Sequence, residues 1–121
     1  MKYEISQRFF FDAAHTLARC IETEGSARVH GHTYQGELAV AGEPDADTGM
    51  VCDLGLLRAE LDRIRGLLDH HLLDEVPGLG APTLENLCRF IAGQAAGAGF
   101  AVSRVAVWRD GVGDRCELRL P

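Results

Sequence analysis

An α+β fold, a four-stranded antiparallel sheet with two helices on one face, is predicted by three features of this 121-residue chain. Two stretches near its start and two near its end alternate apolar with polar residues, the period of a half-buried strand. Two stretches between them repeat apolar residues every three or four positions, the period of a helix with one buried stripe. The resulting order, strand, strand, helix, helix, strand, strand, has none of the β-α-β alternation of a parallel sheet. With 46% hydrophobic and 25% charged residues and no low-complexity tract, residues 1–121 are expected to form a single domain.

The first strand is expected over about residues 2–12 and the second over about 32–42, where Tyr34, Leu38 and Val40 alternate with polar or small residues. Gly42-Glu43-Pro44-Asp45 ends the second. Beyond Asp53, a suitable N-cap, Leu54, Leu57, Leu61, Ile64 and Leu68 fall on one helical stripe. Thr83 caps a second helix that carries Leu84, Leu87, Cys88, Ile91 and Ala95 on one face and ends at Gly97-Ala98-Gly99. Segments at about 101–109 and 114–120 flank Asp110-Gly111-Val112-Gly113 and read as a hairpin. Such a sheet leaves two unpaired edges. Joining them between subunits is one remedy, so a homo-oligomer is expected.

Eighteen acidic against twelve basic residues give a net charge of −6, which speaks against a nucleic-acid partner, since phosphate-backbone affinity needs clustered cations. No apolar run follows Lys2, and nowhere do about 18 apolar residues run together, so no membrane partner and a cytoplasmic location are expected. Cys20, Cys52, Cys88 and Cys116 form no C-x-x-C pair and read as reduced thiols, with Cys88 and Cys116 on apolar faces.

The five histidines are the most informative residues. His30 and His32, two apart on a strand, project from one face, and His15 at the end of the adjacent strand supplies a third imidazole. Three neutral imidazoles suit Zn2+ with one position left for a ligand, although an H-x-H pair is also found as plain solvated side chains. Asp69 and His70, at the end of the first helix, read either as a carboxylate–histidine acid/base pair or as ordinary solvation of a helix C-terminus.

Phe11-Asp12-Ala13-Ala14-His15, His30-Gly31-His32, Gly49-Met50-Val51-Cys52-Asp53, Leu68-Asp69-His70-His71, Pro77-Gly78-Leu79 and Pro82-Thr83-Leu84-Glu85-Asn86 follow one another along nearly the whole chain. In that order and spacing they resemble the motifs of the 6-pyruvoyltetrahydropterin synthase and 6-carboxytetrahydropterin synthase family. The resemblance implies a tunnel fold, in which antiparallel sheets of several subunits close into a barrel, typically a hexamer of two trimers with active sites between subunits. It implies a zinc-dependent lyase acting on a reduced pterin such as dihydroneopterin triphosphate. Zinc would be held by His15, His30 and His32, with Asp69 and His70 as the acid/base pair. The doubled His70-His71 is closer to the bacterial carboxy-forming branch, which implies queuosine biosynthesis as the pathway.

Two positions depart from the family pattern. The catalytic cysteine of the bacterial enzymes corresponds to Ser26, and that of the pyruvoyl-forming branch to Glu24. A serine hydroxyl is far less acidic than a thiol, whereas a carboxylate can act as a base, so Glu24 is the expected replacement. Cys20 is a weaker candidate, and Glu22 reads as part of the same loop. Relatives with a glutamate near this position cleave the side chain in a retro-aldol sense to a hydroxymethylpterin. The second departure is at the pterin-anchoring glutamate, which corresponds to Arg109. Arginine offers only donors, so either Asp110 takes over as acceptor or the ligand carries a carboxylate or phosphate that Arg109 pairs. Thr83 and Glu85 match the other pterin-contacting motif. The alternative to a lyase is a zinc-containing pterin-binding protein without synthase activity.

Overall fold

The structure is a computed structural model that describes residues 1–17, 21 and 23–121, so Cys20 and Glu22 lie outside the described residues. Its elements are β1 (Tyr3–His15), α1 (Thr23–Ala27), β2 (His30–Gly42), α2 (Leu54–Leu68), a 3-10 turn (Leu73–Glu75), α3 (Leu84–Gly97), β3 (Val102–Arg109) and β4 (Asp114–Arg119). The four strands form one antiparallel sheet, as the sequence predicts, and the structure sets their order as β1-β2-β3-β4. β1 runs three residues beyond its expected end. Ala13, Ala14 and His15 carry little strand signal of their own, but pairing with His32, Gly31 and His30 holds them extended.

Strand alternation sorts the sheet into two faces. Phe11, Ala13, Tyr34, Leu38, Val40, Val105 and Val107 point to the helices, where they form one core with Leu57, Leu61, Ile64 and Leu68 of α2 and Leu87, Ile91 and Ala95 of α3. Gly36 belongs to this face because a Cβ there would stand 2.7 Å from the Phe9 ring. Both expected caps form: Asp53 Oδ1 accepts from Gly55 N at 2.8 Å, and the Thr83 hydroxyl accepts from Asn86 N at 3.1 Å. Leu54 departs from its expected stripe and is 37% exposed, since it precedes the first full turn that faces the sheet. Among the described residues, no helix is long and apolar enough to cross a membrane.

The opposite face is polar. Arg104 donates to Glu37 and Glu4, Arg8 donates to Glu37, and Trp108 lies between the guanidinium groups of Arg8 and Arg115 at 5.5 and 5.7 Å. Arg104 first, then Arg8, hold the Glu37 carboxyl below the usual carboxylate range against the opposing effect of burial. A depressed folded-state pKa means stability that is present above the unfolded value near 4.5 and lost as pH falls through the folded one. Glu37→Gln is accordingly expected to cost about 1–2 kcal/mol at pH 7 and much less at pH 3, read from urea unfolding at both values.

Candidate metal centre

His15 closes β1 directly opposite His30, which opens β2, while His32 pairs with Ala13 one step along the same face. This register gathers the three imidazoles at one end of the sheet, on the helix side. His15 Nε2 lies 2.8 Å from His30 Nε2 and 3.1 Å from His32 Nε2, and the three rings meet edge to face. His15 is 2% exposed.

The donor set fits a cation. His15 Nδ1 donates to the Pro82 carbonyl at 3.1 Å and His30 Nδ1 to the Arg28 carbonyl at 2.8 Å. A carbonyl only accepts, so both rings carry their proton on Nδ1, and their Nε2 lone pairs face each other. Two lone pairs at that distance repel unless a cation or proton stands between them. Backbone carbonyls that fix the tautomer in this way are the usual outer support of metal-bound histidine. Burial, then Arg109 and the other two imidazoles, push His32 down to about 4. Burial also lowers His15, so both are neutral at pH 7, the form that ligates.

The trio opens on a cavity of about 470 Å3 whose wall includes Gly25, Ser26, Arg109 and Asp114. Ser26 is 4% exposed there. Glu24 is not brought to this wall: its side chain is 93% exposed and sits 4.0 Å from Arg28, one turn along α1. A helix of five residues turns neighbouring side chains in different directions, and here Ser26 is the one buried.

Arg109 lies inside the site with a side chain 14% exposed. Its Nη2 donates to Asp114 Oδ2 at 2.6 Å, its Nη1 to His32 Nε2 at 3.2 Å, and its guanidinium carbon stands 5.9 Å from the centre of the Tyr34 ring. Thr83, Glu85 and Arg109 border an adjoining cavity of about 320 Å3 with His15, Tyr34 and Pro82. Asp110, the expected substitute acceptor, is instead exposed in the hairpin turn. The carboxylate that reaches the site is Asp114, opposite Arg109 in the β3–β4 register. Residues flanking a four-residue connection face each other, so the expected hairpin already contained this signal.

Asp69 and His70 are brought together elsewhere. Asp69 Oδ1 accepts from Asp12 N at 2.9 Å, and Oδ2 lies 3.3 Å from Arg65 and 3.6 Å from His70 Nε2. His70 takes a left-handed backbone with φ 59°, tolerated by few side chains, and donates its N–H to the Asp12 carbonyl. The segment runs along the outer edge of β1. Asp12, which completes the cluster and accepts from Thr33, projects from the face opposite the trio. Sequence reasoning missed Asp12 and Thr33, although strand parity placed both on that face.

The profile of the family described as 6-pyruvoyl tetrahydropterin synthase matches residues 4–119. A 6-carboxy-5,6,7,8-tetrahydropterin synthase of Synechocystis is 37% identical over 101 residues, covering 78% of this chain and 76% of that protein. A dihydroneopterin monophosphate aldolase of Pyrococcus furiosus is 35% identical over 92 residues, covering 76% and 74%. The structure of Caenorhabditis elegans 6-pyruvoyl tetrahydropterin synthase superposes with a TM-score of 0.82 at 20% identity, covering 100% of this chain and 97% of that one, and so shares the fold. With the profile spanning almost every residue and the histidine and Asp–His motifs all present, the chain belongs to the 6-pyruvoyl tetrahydropterin synthase family.

Proposed function

We propose that this protein is a zinc-dependent lyase acting on a reduced pterin such as 7,8-dihydroneopterin or its triphosphate. The observation that carries the reading is the convergence of three Nε2 lone pairs, two of them oriented by backbone carbonyls, beside a cavity of pterin size. His15, His30 and His32 would hold zinc, which when bound supplies Lewis-acid polarisation of a substrate hydroxyl.

The chain's own groups account for the remaining chemistry. Asp69, fixed by the Asp12 N–H and by Arg65, orients His70 through Nε2 and leaves Nδ1 as the atom that takes or returns a proton. Within one chain this pair gathers around Asp12, whose side chain projects from the sheet face opposite the trio. It therefore serves the trio of a second copy, which makes the homo-oligomer a requirement of catalysis. Thr83, Glu85 and Tyr34 border the space beside the trio in which a flat ring would be oriented.

Incubation of the zinc-loaded protein with dihydroneopterin triphosphate and with dihydroneopterin, followed by mass spectrometry, tests this. A carboxy- or pyruvoyl-pterin supports the synthase reaction, and a hydroxymethylpterin supports the retro-aldol one named for the Pyrococcus relative. No product from either leaves the non-catalytic pterin-binding reading, which Ser26 at the cysteine position favours.

A further inference from the structure

Arg109 holds two donors that occupation of the site leaves without a partner. Its Nε is buried with no hydrogen-bond partner among the described residues, and its Nη1 donates to His32 Nε2 at 3.2 Å. A ring nitrogen has one lone pair. Once His32 Nε2 gives that pair to an ion, Nη1 loses its acceptor while Nε stays buried and unmatched, on a guanidinium group whose residue lines the cavity. Leaving buried N–H groups of a cation unpaired is costly, so the occupied site calls for a new acceptor beside His32.

Charge leads to the same requirement. The three imidazoles are neutral ligands, and Asp114 is the one carboxylate on the described wall of the 470 Å3 cavity, where it is already committed to Arg109. Glu85 borders the adjoining cavity and is exposed. A divalent ion on the trio would add two positive charges to this cavity, and the nearest further carboxylate that acts on His15, Asp74, is already engaged by Thr16. A fixed guanidinium next to such an ion disfavours a ligand that offers only donors or a neutral edge. It favours one that brings negative oxygen.

We propose that Arg109, together with the ion position of His15, His30 and His32, forms an oxyanion site, so that the cavity selects a ligand carrying a carboxylate or phosphate group over a neutral ligand of the same ring system. The proposal rests on the trio being a metal centre, as argued above, but not on the ligand being a pterin. The Arg109–Asp114 pair is a specificity device: Asp114 holds the guanidinium over the Tyr34 ring, and Nη1, beside His32, is the donor left for what binds there.

Calorimetric titration with inorganic phosphate and with acetate, on zinc-loaded and zinc-free protein, tests it. Zinc-loaded wild type should bind at least one of the two anions about tenfold more tightly than zinc-loaded Arg109→Gln, with Arg109→Lys in between, and about tenfold more tightly than zinc-free wild type. Phosphate and acetate arms separate the two oxyanion classes. Zinc content and thermal unfolding of each variant report whether it is folded and loaded, and Arg109→Lys keeps the charge if Arg109→Gln does not fold. Anion affinity unchanged in a zinc-loaded, folded Arg109→Gln, or equal with and without zinc, overturns the proposal. If neither pterin is turned over while anion binding keeps this dependence, the pterin reading fails and the oxyanion site stands. If pterins are turned over while anion binding ignores Arg109, the oxyanion site fails and the pterin reading stands.

Discussion

His30→Ala is expected to lose zinc binding by at least about 100-fold, since removing even an outer-shell partner of a metal-bound histidine costs 10–100-fold. His30 is the informative ligand to remove because it is half-buried, whereas His15 is packed at 2% exposure and its loss would also open the core. Elemental analysis should find about one zinc per wild-type chain and almost none in the variant. Thermal unfolding gives an independent reading. At free zinc about 100 times its dissociation constant, wild type should gain roughly 2.7 kcal/mol, or about 10 °C, and His30→Ala should gain nothing. His71→Ala is the control, since its ring is exposed and, among the described residues, is engaged only through Nδ1, by the Asp69 carbonyl. Stoichiometric zinc in His30→Ala would remove the trio as the metal centre.

Mixing two inactive variants should restore turnover. Asp69→Ala and His30→Ala chains, each unable to convert a dihydroneopterin substrate alone, are expected to recover roughly a quarter of wild-type activity after co-refolding at equal amounts, because random pairing builds that share of sites from two intact halves. The expectation follows from the sheet: the trio lies on the helix side, and the Asp12–Asp69–His70 cluster lies at the β1 edge on the other side. With the two groups drawn from different copies, mixing supplies each site with the half that either variant lacks. Mixed oligomers that stay inactive, when each variant alone is folded and the wild type refolds to full activity, would show that the two groups do not work in one site.

Much of this geometry is legible in the sequence because strand parity is a strict rule. His30 and His32 share a face in any strand that contains both, and Asp12 and His15 lie on opposite faces in the same way. Helix caps and stripes are equally local: Asp53, Thr83 and the Leu57–Leu61–Ile64–Leu68 series needed only their neighbours. The family motifs fixed which of these residues belong together. Less legible was the direction of side chains in short or irregular pieces. Five residues of α1 carry no periodicity from which the outward turn of Glu24 could be read. The exposure of Asp110 depended on where pairing stops in the β3–β4 hairpin.

The sequence by itself determined the element order, the two-faced sheet and the identity of the three imidazoles, since these follow from period, parity and residue chemistry. The tertiary structure alone decided the rest: the β1–β2 register that places His15 opposite His30, the Pro82 and Arg28 carbonyls that turn Nε2 inward, and the Arg109–Asp114 pair beside His32. It also decided that Asp69 and His70 gather around Asp12, whose side chain projects from the sheet face opposite the trio. The physical reason is that hydrogen bonds between residues 15 and 82, or 12 and 69, join parts of the chain whose separation no local pattern encodes. Only packing of the helices on the sheet brings them within reach.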